Sequence, residues 1–377
     1  MTHVLIVNTN TFKYHLEYMF AGTGGKRDAS FLFNDEIQLN WKAEASIVDM
    51  VSDISRIRRG DKIIFYVQAN NGAPGKFYGV FQVKEAPFYD SNENNYLFEE
   101  LHKNLNFRVE IEPDVVYSKG VSERIALDVL DGINHPSEMC WSLIYRKLKG
   151  NRGCTMITDY EACKLIEKIR VENLNNVLEG NSFSYDTEKE KIVLSNKTVR
   201  YNGEKNSLSI KDRMLLKYRQ GNAFEAHLQA YIIQNCLENP LRDLLHIETT
   251  KSTWIGNEVS CGVGMQRIDV ATIQEDDNSV IINIIELKSC EPYNDIVIYQ
   301  LPWYIDWVKN YWCPLYNDKE VTINPIVIAQ KSNELINNSF HNVANTLVYP
   351  VQDNVSVSAV EYIGFEIDED ISFEKVF

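Results

Sequence analysis

The sequence has no apolar run near the roughly 18–20 residues that a membrane-crossing helix needs, so no membrane partner is expected. Its first residues, "MTHVLIVNTNTFKYH", lack a charged stretch followed by an apolar one, which argues against a secretory leader. Seven cysteines are scattered along the chain with no CxxC and no Cys/His cluster. Neither a zinc site nor a disulfide framework is therefore expected, and reduced thiols in the cytoplasm are. Cations are scarce toward the C-terminus. Residues 251–377 hold 7 Lys+Arg against 19 Asp+Glu, whereas residues 1–250 hold 31 against 34. A net charge of −15 excludes an evenly cationic nucleic-acid-binding surface. A phosphate-binding loop is also missing: "GTGGK" at 22–26 has Phe20 where that loop needs glycine.

What is present suits two or three domains, with 377 residues of which 44% are hydrophobic. Strands are expected at "HVLIVNT", "KIIFYVQ" and "KFYGVFQVKE". Ile47, Val48, Val51 and Ile54 fall at helical spacing, and Gly60 follows as a stop. "ITDYEACKLIEKIRVENL" reads as a helix with a Thr or Asp cap, closing a first domain over 1–172. Residues 173–210 are rich in Asn, Ser, Glu and Lys and read as a linker, with short strands at Lys191–Leu194 and Thr198–Tyr201. From 211 a helix containing "GNAFE" carries Phe224, Leu228, Tyr231 and Ile232 on one face. A hairpin, the Trp-rich helix "IVIYQLPWYIDWVKNYW" and further strands fill 211–377. The expected class is mixed α/β or α+β.

The hairpin "RIDVATIQEDDNSVIINIIELKS" carries the most chemistry. With a turn centred on Asp277–Asn278, Glu275 faces Val280, Ile273 faces Ile282 and Asp269 faces Glu286. Lys288, two residues on, shares the face of Glu286. Opposed like charges destabilise a strand pair, and burying either one unpaired is costly. A divalent cation resolves the conflict, and Mg²⁺ (with Mn²⁺ as a substitute) favours such oxygen ligands. A structural carboxylate–lysine pair at a sheet end is the other reading of the same residues.

Flanking features extend the pattern. Upstream stands "GNAFE", Gly221 to Glu225. Downstream stands "QLPWY", with Gln300 and Tyr304 at i and i+4. The order GxxxE, D, ExK, QxxxY resembles the PD-(D/E)XK nuclease superfamily, in its RecB-like branch, over about residues 211–330. The hairpin and "QLPWYIDWV" are also similar to the catalytic part of the archaeal and actinobacterial NucS endonucleases. Ile268 stands where the superfamily's name has proline. The resemblance implies a restriction-endonuclease-like core. Asp269 and Glu286 would be metal ligands, Lys288 the catalytic lysine, and Glu225 a helix carboxylate reaching the metal. Gln300 and Tyr304 would steady the site.

The block "RRGDKIIFYVQANNGAPGKFYGVFQVKEAPFYD" resembles the PUA-like barrels, and among them the EVE and YTH domains. That implies an N-terminal barrel with helices that holds an extruded base in an aromatic pocket. Trp41, Tyr66 and Trp141 are the candidate pocket residues. Arg146, Lys147, Lys149 and Arg152, with Lys211 and Arg213, are candidate phosphate contacts in two local basic clusters. Together the two resemblances imply a Mg²⁺-dependent endonuclease on double-stranded DNA that leaves 5′-phosphates. A prokaryotic restriction enzyme directed at modified DNA fits this best. One site cuts one strand, so double-strand cleavage implies a homodimer or two encounters. A sequence-specific type II restriction enzyme, a mismatch- or structure-specific repair nuclease and an inactive nucleic-acid sensor are the alternatives.

Overall fold

The apolar runs near the N-terminus become the middle of a curled sheet. The computed structural model describes residues 1–377 except 26–27, 35–40, 71, 129–131, 145–152, 198 and 263–265, and leaves the side chains of 41–43 and 128 undescribed. The chain is mixed α+β, as expected. It divides into two units: Met1–Ile133 with Met139–Leu208, and Asn134–Glu138 with Ser209–Phe377. Among the described residues no helix is long and apolar enough to cross a membrane.

The strands of the first unit's main sheet are β1 (Thr2–Val7), β2 (Phe20–Thr23), β3 (Lys62–Val67), β4 (Lys76–Val83), β5 (Phe88–Tyr89), β6 (Phe107–Pro113), β7 (Val121–Ser122) and β8 (Cys154–Ile157). Their order is β2-β6-β4-β3-β1-β8, with β5 on β6 and β7 on β4. β1 and β3 run parallel. The curl brings the two end strands together, since Gly153 beside β8 donates its N–H to Thr23 Oγ1 of β2 at 3.2 Å. The helices are α1 (Phe12–Glu17), α2 (Trp41–Ser55), α3 (Phe98–Leu101), α4 (Trp141–Ile144) and α5 (Asp159–Glu172). Side chains alternate along β3. Ile64 and Tyr66 join Val4, Phe77, Leu165 and Ile169 in one apolar cluster. Phe65, on the other face, meets Phe12 of α1 with ring centroids 5.2 Å apart.

Thr158 is the cap of α5. Its hydroxyl accepts from Glu161 N–H at 3.3 Å, and Glu161 Oε2 accepts from Thr158 N–H at 2.8 Å. Thr158→Ala is expected to cost about 1 kcal/mol. A lower urea midpoint at unchanged slope would register that cost; an unmoved midpoint would mean the cap contributes nothing.

The segment expected to be a linker is instead part of the first unit. β9 (Phe183–Asp186) and β10 (Lys191–Leu194) form a hairpin. It docks on α1 through Tyr185 against Phe12 at 4.9 Å and Ser184 Oγ donating to Glu17 Oε1 at 2.6 Å. No strand forms over the described residues 199–201. Tyr201 instead enters a buried cluster in which Arg108 Nη1 lies 2.9 Å from both Asp90 Oδ2 and the Tyr201 hydroxyl. These partners lie some 90 to 170 residues apart in sequence, which is why composition alone read the segment as loose chain.

The second unit is built on β11 (Ser252–Ser260), β12 (Arg267–Glu275), β13 (Ser279–Leu287), β14 (Glu320–Gln330), β15 (Val355–Val357), β16 (Glu361–Ile367) and β17 (Ile371–Lys375). The order is β11-β12-β13-β14-β16-β17, with β15 on β14. β13 and β14 are parallel, so their carboxyl ends lie side by side. The helices are α6 (Lys211–Arg219), α7 (Glu225–Asn235), α8 (Leu241–Leu244), α9 (Leu301–Tyr311) and α10 (Glu334–Ala344). "GNAFE" does not lie within one helix. Gly221, at φ +68°, separates α6 from α7, and Glu225 becomes the first residue of α7. Its negative charge there suits the positive end of the helix dipole. Asn283, polar in an apolar strand, is fully buried but satisfied: its amide donates to Leu245 O at 2.7 Å and Thr272 Oγ1 at 2.9 Å.

Candidate active site

The turn of the hairpin fixes everything that follows. Asp276 Oδ1 accepts from the N–H groups of Asn278 and Ser279 at 2.9 and 2.8 Å. This closes a tight turn of the kind Asp side chains favour. The ladder then pairs Glu275 with Val280 and Ile273 with Ile282, and runs to Val270 opposite Ile285. The next step sets Asp269 against Glu286. There a side chain takes over from the backbone, as Asp269 Oδ2 accepts from Leu287 N–H at 2.8 Å. The Asp269 carbonyl is held by the Gln229 amide of α7 at 3.0 Å.

Glu286 is 2% exposed and Lys288 8%. Lys288 Nζ donates to Glu286 Oε1 at 2.6 Å and to Leu287 O at 3.0 Å. An ammonium has three N–H donors, so one is left over. Among the described residues Glu286 Oε2 is buried without a hydrogen-bond partner; the hydroxyl of Tyr304, itself 3% exposed, lies near the same carboxylate. Asp269 Oδ1 and the exposed Glu225 carboxylate likewise carry no protein hydrogen bond among the described residues.

The electrostatics follow from burial and like charge. Burial, and then the Glu286 carboxylate, push the Asp269 carboxyl well above the usual range, against Lys288 and the Leu287 N–H. Burial also raises Glu286, with Lys288 opposing. Burial pulls the Lys288 ammonium down, but Glu286, Glu225 and Asp269 outweigh it and hold the group above the ordinary lysine value. Burial and the Glu286 charge raise the Tyr304 phenol. Three carboxylates thus share one ammonium.

That imbalance tests the site against a divalent cation. Among the described residues no group of three or more His, Cys, Asp and Glu side chains closes around a metal position. Among the described residues, Asp269 Oδ1 and Glu286 Oε2 nonetheless each accept no hydrogen bond of ordinary length, with the Tyr304 hydroxyl beside the Glu286 carboxylate. An all-oxygen pair of this kind fits Mg²⁺, which binds through one or two carboxylates and keeps its remaining waters.

The structure therefore brings Asp269, Glu286, Lys288 and Tyr304 together, with the Glu225 charge felt at all of the first three. Gln300 closes the irregular turn Ile296–Gln300 ahead of α9, and its Oε1 is buried without a partner among the described residues. Four neighbours, Cys261, Trp303, Tyr293 and Gln229, are absent from the sequence expectation. Cys261 lies near Glu286, and burial first, with that charge, pushes its thiol up to about 12. Trp303 Nε1 donates to Cys261 O at 2.7 Å. The Tyr293 ring centroid is 6.0 Å from Lys288 Nζ. Gln229, at i+4 from Glu225, had a readable signal in its spacing. Cys261 and Tyr293 had none, because only folding brings them to the hairpin.

The base and phosphate candidates fare differently. Tyr66 is core rather than pocket wall: it is 1% exposed, packs on Phe77 at 4.9 Å and donates its hydroxyl to Glu123. Trp141 is partly buried at the start of α4. Trp41 opens α2, its side chain undescribed. Arg146, Lys147, Lys149 and Arg152 lie outside the described residues. Lys211 is partly exposed and pairs with Asp370 at 2.6 Å, whereas Arg213 is 2% exposed and so is buried away from a phosphate.

No family model matches the chain, and no curated protein matches it. Three solved structures are similar over part of it. A hypothetical protein from Leishmania major has 11% identity, TM-score 0.31, and covers 45% of this chain and 95% of its own. A Pseudomonas putida protein has 11% identity, TM-score 0.28, and covers 44% and 98%. Human THYN1, solved with DNA containing 5-methylcytosine, has 8% identity, TM-score 0.26, and covers 44% and 95%. Similarity of this degree decides neither fold nor function.

Proposed function

We propose that the second unit hydrolyses phosphodiester bonds of DNA with Mg²⁺, as an endonuclease. The observation that carries this reading is the hairpin register, which continues past Val270 and Ile285 to bring the Asp269 and Glu286 charges within reach of each other, with Lys288 Nζ 2.6 Å from Glu286. Asp269 and Glu286 are the residues that would hold the ion through their unsatisfied oxygens. When bound, Mg²⁺ supplies an acidified water and polarises a phosphoryl oxygen. Lys288 turns its remaining N–H toward the negative charge that develops on the phosphate. Its raised proton affinity keeps it charged across neutral pH. The Tyr304 hydroxyl, a neighbour of the Glu286 carboxylate, would steady that side chain. Tyr304→Phe, which removes only the hydroxyl, is expected to lower Mg²⁺ affinity by about tenfold. Cleavage titrated with Mg²⁺ measures this, and an unchanged midpoint would remove Tyr304 from the site.

The finer reading is a restriction enzyme whose first unit reads a modified base. It is supported by the sequence resemblance of residues 1–172 to base-holding barrels and by the near-closed curl of their sheet. One experiment addresses both levels. Methylated, hydroxymethylated and unmodified copies of one DNA are incubated with Mg²⁺ or EDTA, and the ends are sequenced. Cleavage with Mg²⁺ and preference for a modified copy are expected. Equal cutting of all copies removes the modification reading; no cutting of any copy removes the nuclease reading.

A further inference from the structure

Beyond the C-terminal ends of β13 and β14 lies a cleft of about 670 Å³. Carboxyl ends of parallel strands are where open α/β sheets commonly bind ligands, and the volume is within the usual range for a small-molecule site. Glu291, Tyr293 and Asn294 line it after β13, Gln330 at the end of β14, and Ser339 and Phe340 on α10. The side chains of Glu291, Asn294, Gln330 and Ser339 make no protein hydrogen bond among the described residues. No lining residue is a cation, and Glu291 is an anion. Such a wall repels a phosphate but suits a neutral group with an aromatic face and hydrogen-bonding edges. The cation stands at the border instead: Lys288 Nζ is 6.0 Å from the ring of Tyr293, which is 44% exposed.

We propose that this cleft seats an unpaired nucleoside of the strand being cut, its base stacked on Tyr293 and its polar edge met by Asn294 and Gln330. The inference rests on the nuclease reading of the neighbouring carboxylates and lysine, and names the substrate class of that site. The phosphate goes to Lys288 and the adjoining nucleoside to the cleft, which matches the charge of each surface. A base inside a duplex is paired and stacked on both faces, so it must leave the helix to enter. Single-stranded, gapped or mismatched DNA meets that condition without further opening.

The test measures binding in EDTA, so that it does not depend on cleavage. A short fluorescein-labelled single strand and the matched duplex are titrated with the full chain by anisotropy. Tyr293→Ala is expected to weaken single-strand binding by roughly 5- to 100-fold, Tyr293→Phe to keep it, and duplex binding to stay unchanged in both. Circular dichroism checks that the variants are folded. Wild-type affinity in Tyr293→Ala, an equal loss on duplex, or no single-strand binding by the wild-type chain overturns the proposal. Cleavage by the wild-type chain with Mg²⁺ reports separately on the nuclease reading, so failure of one is distinguishable from failure of the other.

Discussion

Replacing Lys288 with alanine is expected to lower the rate of Mg²⁺-dependent DNA cleavage by about 10²–10³-fold, the cost of removing one donor aimed at developing charge. The variant also strips Glu286 of the ammonium that hydrogen-bonds it from 2.6 Å away, so loss of activity by itself does not separate chemistry from folding. Burial already raises the Glu286 proton affinity, and removing Lys288, which opposes that rise, raises it further. Leaving the carboxyl without its partner is expected to lower thermal stability. Pairing Lys288→Ala with Glu286→Gln makes the distinction. The double variant leaves no buried charge at either position and is expected to regain thermal stability without regaining activity. Were the pair only structural, every variant that folds would cut DNA as the wild-type chain does, and that result would falsify the assignment.

A second large effect is expected on stability, with opposite signs for a mutation and for the ion. Burial and Glu286 place the Asp269 carboxyl well above its ordinary range in the folded chain. A carboxyl raised by folding holds its proton more tightly in the folded state. The cost of ionising it is absent at low pH, and it grows as pH rises through the ordinary carboxylate range toward the folded value. Asp269→Asn is therefore expected to stabilise the metal-free chain at pH 8, by up to about 1 kcal/mol for a cross-strand like-charge pair. The gain should fade near pH 4. Mg²⁺ does the reverse of the mutation's logic, stabilising the wild-type chain by about 2.7 kcal/mol at a hundred times its Kd, and Asp269→Asn loses that gain. Melting curves at pH 4 and pH 8, with Mg²⁺ or EDTA, read all four corners. Equal Mg²⁺ stabilisation of both chains would place the ion elsewhere.

The residues that carry these predictions were legible because β-strand geometry is local. A period of two and a turn built on Asp276 set which residues of the hairpin oppose each other, and both are written in 23 consecutive residues. The i, i+4 spacing of Gln300 and Tyr304 is local in the same way, as is the Thr158 cap of α5. Glu225 opens α7 instead of lying inside one helix with Gly221, because the break at Gly221 competes with the helical periodicity on either side.

By itself, then, the sequence determined the mixed α+β class, the hairpin register and the opposed carboxylates, all set by neighbours within a few turns or one tight loop. Only the tertiary structure decided that residues 173–208 belong to the first unit, that Tyr66 is core, and that Lys211 and Arg213 are already engaged or buried. It alone formed the cleft, whose walls at 291–294 and 330–340 stand about 40 residues apart in the chain. The physical reason is the same in each case. Burial and charge pairing depend on which distant segments meet, and one-dimensional spacing carries no record of that.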